Sequence, residues 1–289
     1  MREPLFILAP ARSFTSVVCG MIGNHPEMLG LPETNLFAAG TLDGLRQVHH
    51  ARPRFATGLL RAIAQLGLGG QTEEDVDAAQ RWLNEQAGSM STADLFRDLA
   101  DWADGRALID KSPMHVFREG ALDRIIDAFP GARFLHLTRH PRDNCESIYE
   151  MSNSGTLAQG GRELTPDRMW LKPHLRIMEL METVPADQHM LVRGESLMAD
   201  PKTYLPQIAE WLQIRTDDEA IGAMMRPEES PFACMGPSNA RLGNDPRFLQ
   251  SPKLRPFKEK PSDLDTPLSW DSALVFDETL RHYAMTFGY

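Results

Sequence analysis

The chain has 289 residues, with 30 lysines and arginines against 40 aspartates and glutamates, a net charge of −10. Apolar residues make up 42% and charged residues 24%, near globular averages, which excludes wholesale disorder, collagen and coiled coil. The acidic balance argues against a nucleic-acid partner, because such binders carry a basic excess; any bound anion must meet a local basic pocket. No apolar run approaches the ~18–20 residues of a membrane helix and no leader-like segment is recognisable, so no membrane partner is expected. Cys19, Cys145 and Cys234 lie far apart without a CxxC pair, which predicts buried reduced thiols and a cytoplasmic protein.

Residues Pro4 to Ala9 form a short apolar run bounded by prolines, the pattern of a buried parallel strand. The turn Ala11-Arg12-Ser13-Phe14-Thr15-Ser16 follows, and Val17 to Ile22 reads as a helix. From Thr34 to Ala103 the pattern is helical without a strand, which predicts a helical insertion over the sheet. Within it, Thr72 with Asp75 and Ser91 with Asp94 resemble capping boxes opening helices at Thr72–Gln86 and Ser91–Ala103. Arg106 to Ile109 reads as a second strand and Phe117 to Phe129 as an amphipathic helix. A third strand, Arg133 to Thr138, leads into a helix reaching Met151. Asp167 to Val184 reads as a helix and His189 to Val192 as a fourth strand. This alternation predicts parallel βαβ crossovers and an α/β fold of three layers, a mostly parallel sheet flanked by helices, in a single domain over 1–289. From 226 to 289 prolines break any long element, and the basic residues there favour a segment wrapped over the site.

Ligands of such sheets bind beyond the carboxyl ends of the strands. There the sequence offers Arg12, Ser13, Thr15 and Ser16 after the first strand, Lys111 and Ser112 after the second, and Arg139 and Arg142 after the third. Cations and hydroxyls beside a helix N-terminus make an anion site, most naturally for phosphate. The first loop is not a Walker A sequence: it has no GxxxxGK, and Phe14 stands where a glycine is expected.

These residues resemble the sulfotransferases that use PAPS (3′-phosphoadenosine-5′-phosphosulfate). The family's 5′-phosphosulfate loop reads P-[RK]-S-G-T-[ST], and residues 11–16 are similar, with Ala11 and Phe14 as departures. Its 3′-phosphate element, a strand followed by Arg-x-Pro-Arg-Asp and a serine eight residues after the first arginine, is similar to Arg139 to Asp143 with Ser147. Lys111-Ser112-Pro113 resembles the family's lysine loop. His25-Pro26 with Pro32-Glu33-Thr34 is similar to the tyrosylprotein and heparan-type members, whose base is a glutamate.

The resemblance implies a P-loop NTPase-like fold and transfer of a sulfonyl group from PAPS to an alcohol or phenol hydroxyl, releasing PAP, without a metal. It assigns the 5′-phosphate to Arg12, Ser13, Phe14, Thr15 and Ser16, and the 3′-phosphate to Arg139 and Ser147. Arg241, Lys253 and Arg255 of the tail are further expected donor contacts. Lys111 would bridge the leaving oxygen and the sulfonyl oxygens, and Glu33 would act as general base. Cytosolic members place a histidine two residues after the lysine; Pro113 stands there, and His115 is the rival base. No adenine-stacking residue is identified, since Val17 stands where many relatives carry tryptophan. Phe37, Phe55, Trp82, Phe96 and Trp102 suggest an apolar wall for a small-molecule or carrier-bound acceptor. Two alternatives stand beside this reading. One is a P-loop kinase or nucleotidase with Asp110 on Mg²⁺; the other is a nucleotide-binding module without chemistry.

Overall fold

In a computed structural model, residues 2–86, 88, 90–153, 164–258, 263–271 and 274–289 are described. Five parallel strands, β1 (Leu5–Leu8), β2 (Met28–Gly30), β3 (Ala107–Asp110), β4 (Arg133–Thr138) and β5 (His189–Arg193), form one sheet in the order β2-β3-β1-β4-β5. Four of these match the sequence reading. β2 does not: three residues are too few to show a period, and only pairing with β3 makes them a strand.

Alternation along each strand sorts the core into two layers, as a pleated strand requires. Phe6, Leu8, Leu29, Leu108 and Phe134 face one way, and Leu5, Ile7, Met28, Ala107, Ile109, Leu135 and Leu137 the other. The first face is covered by the helical insertion, α2 (Leu42–Ala51), α3 (Thr57–Ile63), α4 (Glu73–Gln86) and α5 (Thr92–Asp101), which follows α1 (Thr15–Gly23) and β2. The boxes at its helix starts are formed: Thr72 Oγ1 accepts from Asp75 N at 3.2 Å, and Ser91 Oγ from Asp94 N at 3.1 Å. The helix expected over Phe117–Phe129 is shorter, α7 (Ala121–Ala128), and a separate turn of helix, α6 (Met114–Phe117), precedes it. They are separated at Gly120, whose φ of 69° breaks the helical path.

α8 (Pro141–Asn153) follows β4. The segment expected over Asp167–Val184 opens with a π turn, Asp167–Leu171, before α9 (Lys172–Met181). α10 (Gly194–Ala199), α11 (Pro201–Leu212) and α12 (Asp218–Met224) complete the second face. The tail carries α13 (Pro246–Gln250) and α14 (Glu278–Thr286). Phe276, Leu280, Ala284 and Phe287 pack with Cys145, Ile148 and Trp170 in a further apolar cluster beside β4, so this part is core rather than a wrapping loop. Pro261, one of the tail prolines, lies outside the described residues. The cysteines are free; Cys19 and Cys145 are buried as expected, whereas Cys234 is exposed. No described helix is long and apolar enough to cross a membrane.

Candidate active site

Parallel pairing brings the carboxyl ends of β2, β3, β1 and β4 to one edge, and the side chains just beyond them meet. Gly30 pairs with Ile109, so Glu33 and Lys111 emerge from adjacent strand ends. Lys111 Nζ donates to Glu33 Oε1 at 3.0 Å and to Ser16 Oγ at 3.1 Å. The lysine side chain is wholly buried, while Glu33 keeps 30% of its side chain exposed. Lys111 is therefore a fixed cation facing a carboxylate that solvent, or a substrate, can reach.

The phosphate loop continues the chain of contacts. Arg12 Nε donates to Ser147 Oγ at 3.0 Å, and its guanidinium pairs with Asp245. Asp245 N donates to Ser16 Oγ at 3.1 Å. Ser147, Arg12, Asp245, Ser16, Lys111 and Glu33 thus form one unbroken polar line across four strand ends. Burial pushes the Asp245 carboxyl up, but the Arg12 guanidinium overrides it and holds the group below the usual aspartate range.

The turn between β1 and α1 is strained. Arg12 and Phe14 both adopt left-handed backbone, with φ of 68° and 62°. Each such non-glycine residue costs about 1–3 kcal/mol and persists only where its surroundings over-determine it. The sequence placed Phe14 where glycine belongs, and the structure shows what the ring does. Arg139 stacks over it at 4.8 Å, and Phe257 of the tail packs edge-on at 5.7 Å. Phe14 also occupies the N-cap of α1 without a side-chain cap, so the first-turn N–H groups of that helix stay available to an anion. Ser13, Thr15 and Ser16 are buried beside them. Arg139 NH1 donates to the Arg12 carbonyl at 2.6 Å, while Arg139 Nε is buried and has no hydrogen-bond partner among the described residues. A buried guanidinium N–H in that condition suits an anionic ligand.

Residues 4–218 match the sequence profile of the sulfotransferase family. The chain belongs to that family. Two solved structures superpose along its full length. The sulfotransferase domain of the Synechococcus PCC 7002 olefin synthase is 25% identical with a TM-score of 0.76, and 96% of that chain is covered. The sulfotransferase domain from the curacin biosynthetic pathway is 18% identical with a TM-score of 0.77, and 98% of that chain is covered. The second likeness speaks for the fold alone. Comparison with curated proteins finds no match.

Not every expected residue of this sulfotransferase joins the line. His115 is buried against Phe6 and Phe37, ring centroids 5.7 and 5.9 Å away, with Nε2 3.3 Å from Asp110 Oδ1. It faces the core beneath the site. Asp110 is itself fully buried and engaged by Thr34, by Ser112 through N (2.9 Å) and Oγ (2.7 Å), and by His115. A carboxylate committed in this way does not suit the Mg²⁺ role of a kinase reading. Arg142 points away: it pairs with Glu146 and Asp263 and donates to the carbonyls of Asp263, Thr266 and Pro267. Arg241, Lys253 and Arg255 are exposed, and the tail reaches the site through Gly243, Asp245 and Phe257 instead. Of the five aromatics, Phe37 and Phe96 are core, and Trp82 and Trp102 pack on each other at 5.5 Å. Phe55 lies beside the site, its carbonyl accepting from Asn35 Nδ2 at 3.3 Å.

Sequence reasoning missed three contributors. Asn144, fully buried, donates to the Ala11 carbonyl at 2.8 Å and to Ser13 Oγ at 3.1 Å, tying α8 to the phosphate loop. Its place in the first turn after β4 is a signal that strand-end reading reaches if extended by one turn. Asp245 has no such signal, being 229 residues from Ser16. Gly243, whose carbonyl accepts from Glu33 N at 2.6 Å, is equally invisible.

Proposed function

We propose that the chain, as one sulfotransferase domain over 1–289, transfers a sulfonyl group from PAPS to the hydroxyl of a small-molecule or carrier-bound acceptor, in the cytoplasm. The observation that carries the reading is the placement of Lys111 Nζ between Ser16 of the phosphate loop and the Glu33 carboxylate. In-line displacement at sulfur needs a cation where the bond to the leaving phosphate breaks and a base beyond it on the acceptor's side. The line of contacts has that order.

In this reading Ser13, Thr15, Ser16 and the α1 N-terminus hold the 5′-phosphate, with Arg12 beside them. Arg139 and Ser147 hold the 3′-phosphate, for which the buried, unpartnered Arg139 Nε is the fitting donor. The acceptor oxygen forms a bond to sulfur as the bond from sulfur to the 5′-phosphate oxygen breaks. Glu33 takes the hydroxyl proton, and Lys111 stabilises the charge gathering on the leaving phosphate. The burial of Lys111 makes that stabilisation stronger than a solvated lysine supplies. His115 has a supporting role here: it anchors Asp110, which orders Thr34 and Ser112 on either side of the base and the lysine. Carrier attachment of the acceptor is suggested by the structural neighbour of 25% identity, which is one domain of an olefin synthase.

The test is acceptor-dependent release of PAP from PAPS over a panel of primary alcohols, secondary alcohols and phenols, read by chromatography. Glu33→Gln is expected to lower the rate about 10²–10⁴-fold while leaving PAP affinity within about twofold. Unchanged release would remove Glu33 from the base role. Stabilisation by ATP with Mg²⁺ but not by PAP would overturn the donor assignment.

A further inference from the structure

The loop that carries Arg139 is held from behind by a residue distant in sequence. Tyr289 donates its hydroxyl to Glu195 Oε2 at 2.9 Å, and the tyrosine hydroxyl oxygen in turn accepts from Thr138 Oγ1 at 2.8 Å. Glu195 Oε1, the other oxygen of that carboxylate, accepts from His140 N at 2.8 Å. On the far side Trp170 Nε1 donates to the Arg139 carbonyl at 2.8 Å. The Tyr289 ring stands edge-on to His140 at 5.3 Å, under the Arg193 guanidinium at 4.7 Å. Three consecutive residues, Thr138, Arg139 and His140, are therefore held from behind, and Tyr289 takes part in the bonds to two of them, directly to Thr138 and through Glu195 to His140.

A carboxylate as buried as Glu195, at 3% exposure, must have both oxygens satisfied. One is used by the loop's own N–H and the other by the tyrosine hydroxyl. Without the hydroxyl, the carboxylate is free to turn toward another donor, and the His140 peptide turns with it. Arg139 supplies the carbonyl of that same peptide, and its Nε is the group left for a ligand.

We propose that Tyr289 is a positioning residue of the donor site: through Glu195 it sets the Arg139–His140 peptide and so the discrimination of nucleotides bearing a 3′-phosphate. The proposal rests on the reading of Arg139 and Ser147 as 3′-phosphate ligands. Calorimetric titration of PAP and of AMP, which lacks that phosphate, reads the effect as a ratio of affinities. For Tyr289→Phe the PAP-to-AMP preference is expected to fall about 10-fold, as for loosening one hydrogen bond to a charged group, with AMP affinity changed less than about twofold. A merely structural tyrosine lowers the melting temperature and leaves the ratio alone.

The control is Arg281→Ala in α14, whose side chain pairs with Asp265 and donates to the Phe276 carbonyl at 2.8 Å. It is expected to destabilise the segment without moving the ratio, and an equal fall in the control would overturn the proposal. If Tyr289→Phe does not fold, Thr138→Val removes the other bond of the same hydroxyl and must lower the ratio. A wild-type protein that binds PAP and AMP alike overturns the reading of Arg139 and the proposal with it. A discriminating wild type whose ratio is unmoved by the variants overturns the proposal alone.

Discussion

Replacing Gly58 by alanine sets helix propensity against active-site geometry. Gly58 lies in α3, where alanine is ordinarily more favourable than glycine by about 1 kcal/mol. A methyl there would stand 2.7 Å from the carbonyl carbon of Glu33 and 3.1 Å from its nitrogen, and closer still to its carbonyl oxygen. Carbon contacts settle at ~3.5–4.0 Å, so the Glu33 backbone must move by roughly 1 Å. It cannot move freely, because its N–H is held by the Gly243 carbonyl at 2.6 Å and its carboxylate by Lys111 at 3.0 Å. Overpacking of this kind costs about 1–3 kcal/mol, enough to cancel the propensity gain. A displacement of that size at a reacting group is worth about 10²-fold in rate. Gly58→Ala is therefore expected to lower acceptor-dependent PAP release about 100-fold. PAP affinity, measured by calorimetry, should stay within about twofold, since Arg139 follows β4 and Ser147 lies in α8, away from the Glu33 backbone. Full turnover together with a raised melting temperature would refute the reasoning, because propensity alone would then decide the site.

Asp245→Asn removes an anion that shares Arg12 with the incoming phosphate, and PAP binding is expected to tighten about 5-fold while the melting temperature falls; weaker PAP binding would contradict the donor assignment of Arg12. Stability should also fall on mild acidification. Burial lowers His136 from 6.5 to about 3, and its partner His174, at 2.7 Å, is depressed by burial in the same direction. Both are neutral in the fold but take up protons in the unfolded chain below about 6.5, so their contribution is full above that pH. It is lost as the pH falls toward the depressed values, by up to about 1.4 kcal/mol per histidine per pH unit. Denaturant unfolding at pH 7 and pH 5.5 checks this, and equal stabilities would show that the pair is not buried neutral.

Much of the site was legible before any fold was known, for a physical reason. Strand ends of a parallel sheet collect ligand-binding groups, and short apolar runs followed by cations mark those ends. Arg12, Ser16, Lys111, Arg139 and Ser147 were all found by that rule or by resemblance to sulfotransferase motifs. Four strands and the capped helices of the insertion were equally readable, because their signals are local: a short apolar run between turn residues, a cap and its partner three residues on.

Other features were decided by tertiary contact. β2 is a strand only because β3 supplies its hydrogen bonds, and that pairing delivers Glu33 to Lys111. Phe14 breaks the glycine expectation because Arg139, from another strand end, uses its ring. His115, adjacent to the lysine loop in sequence, turns into the core, while Asp245 and Tyr289 arrive from far along the chain to touch Arg12 and the Arg139 loop. Residue type and local pattern are enough to say which chemical groups stand at the strand ends. The tertiary structure alone decided which of them touch, because contact between segments 100 or more residues apart, such as Arg12 with Asp245 or Thr138 with Tyr289, depends on packing that no local pattern records.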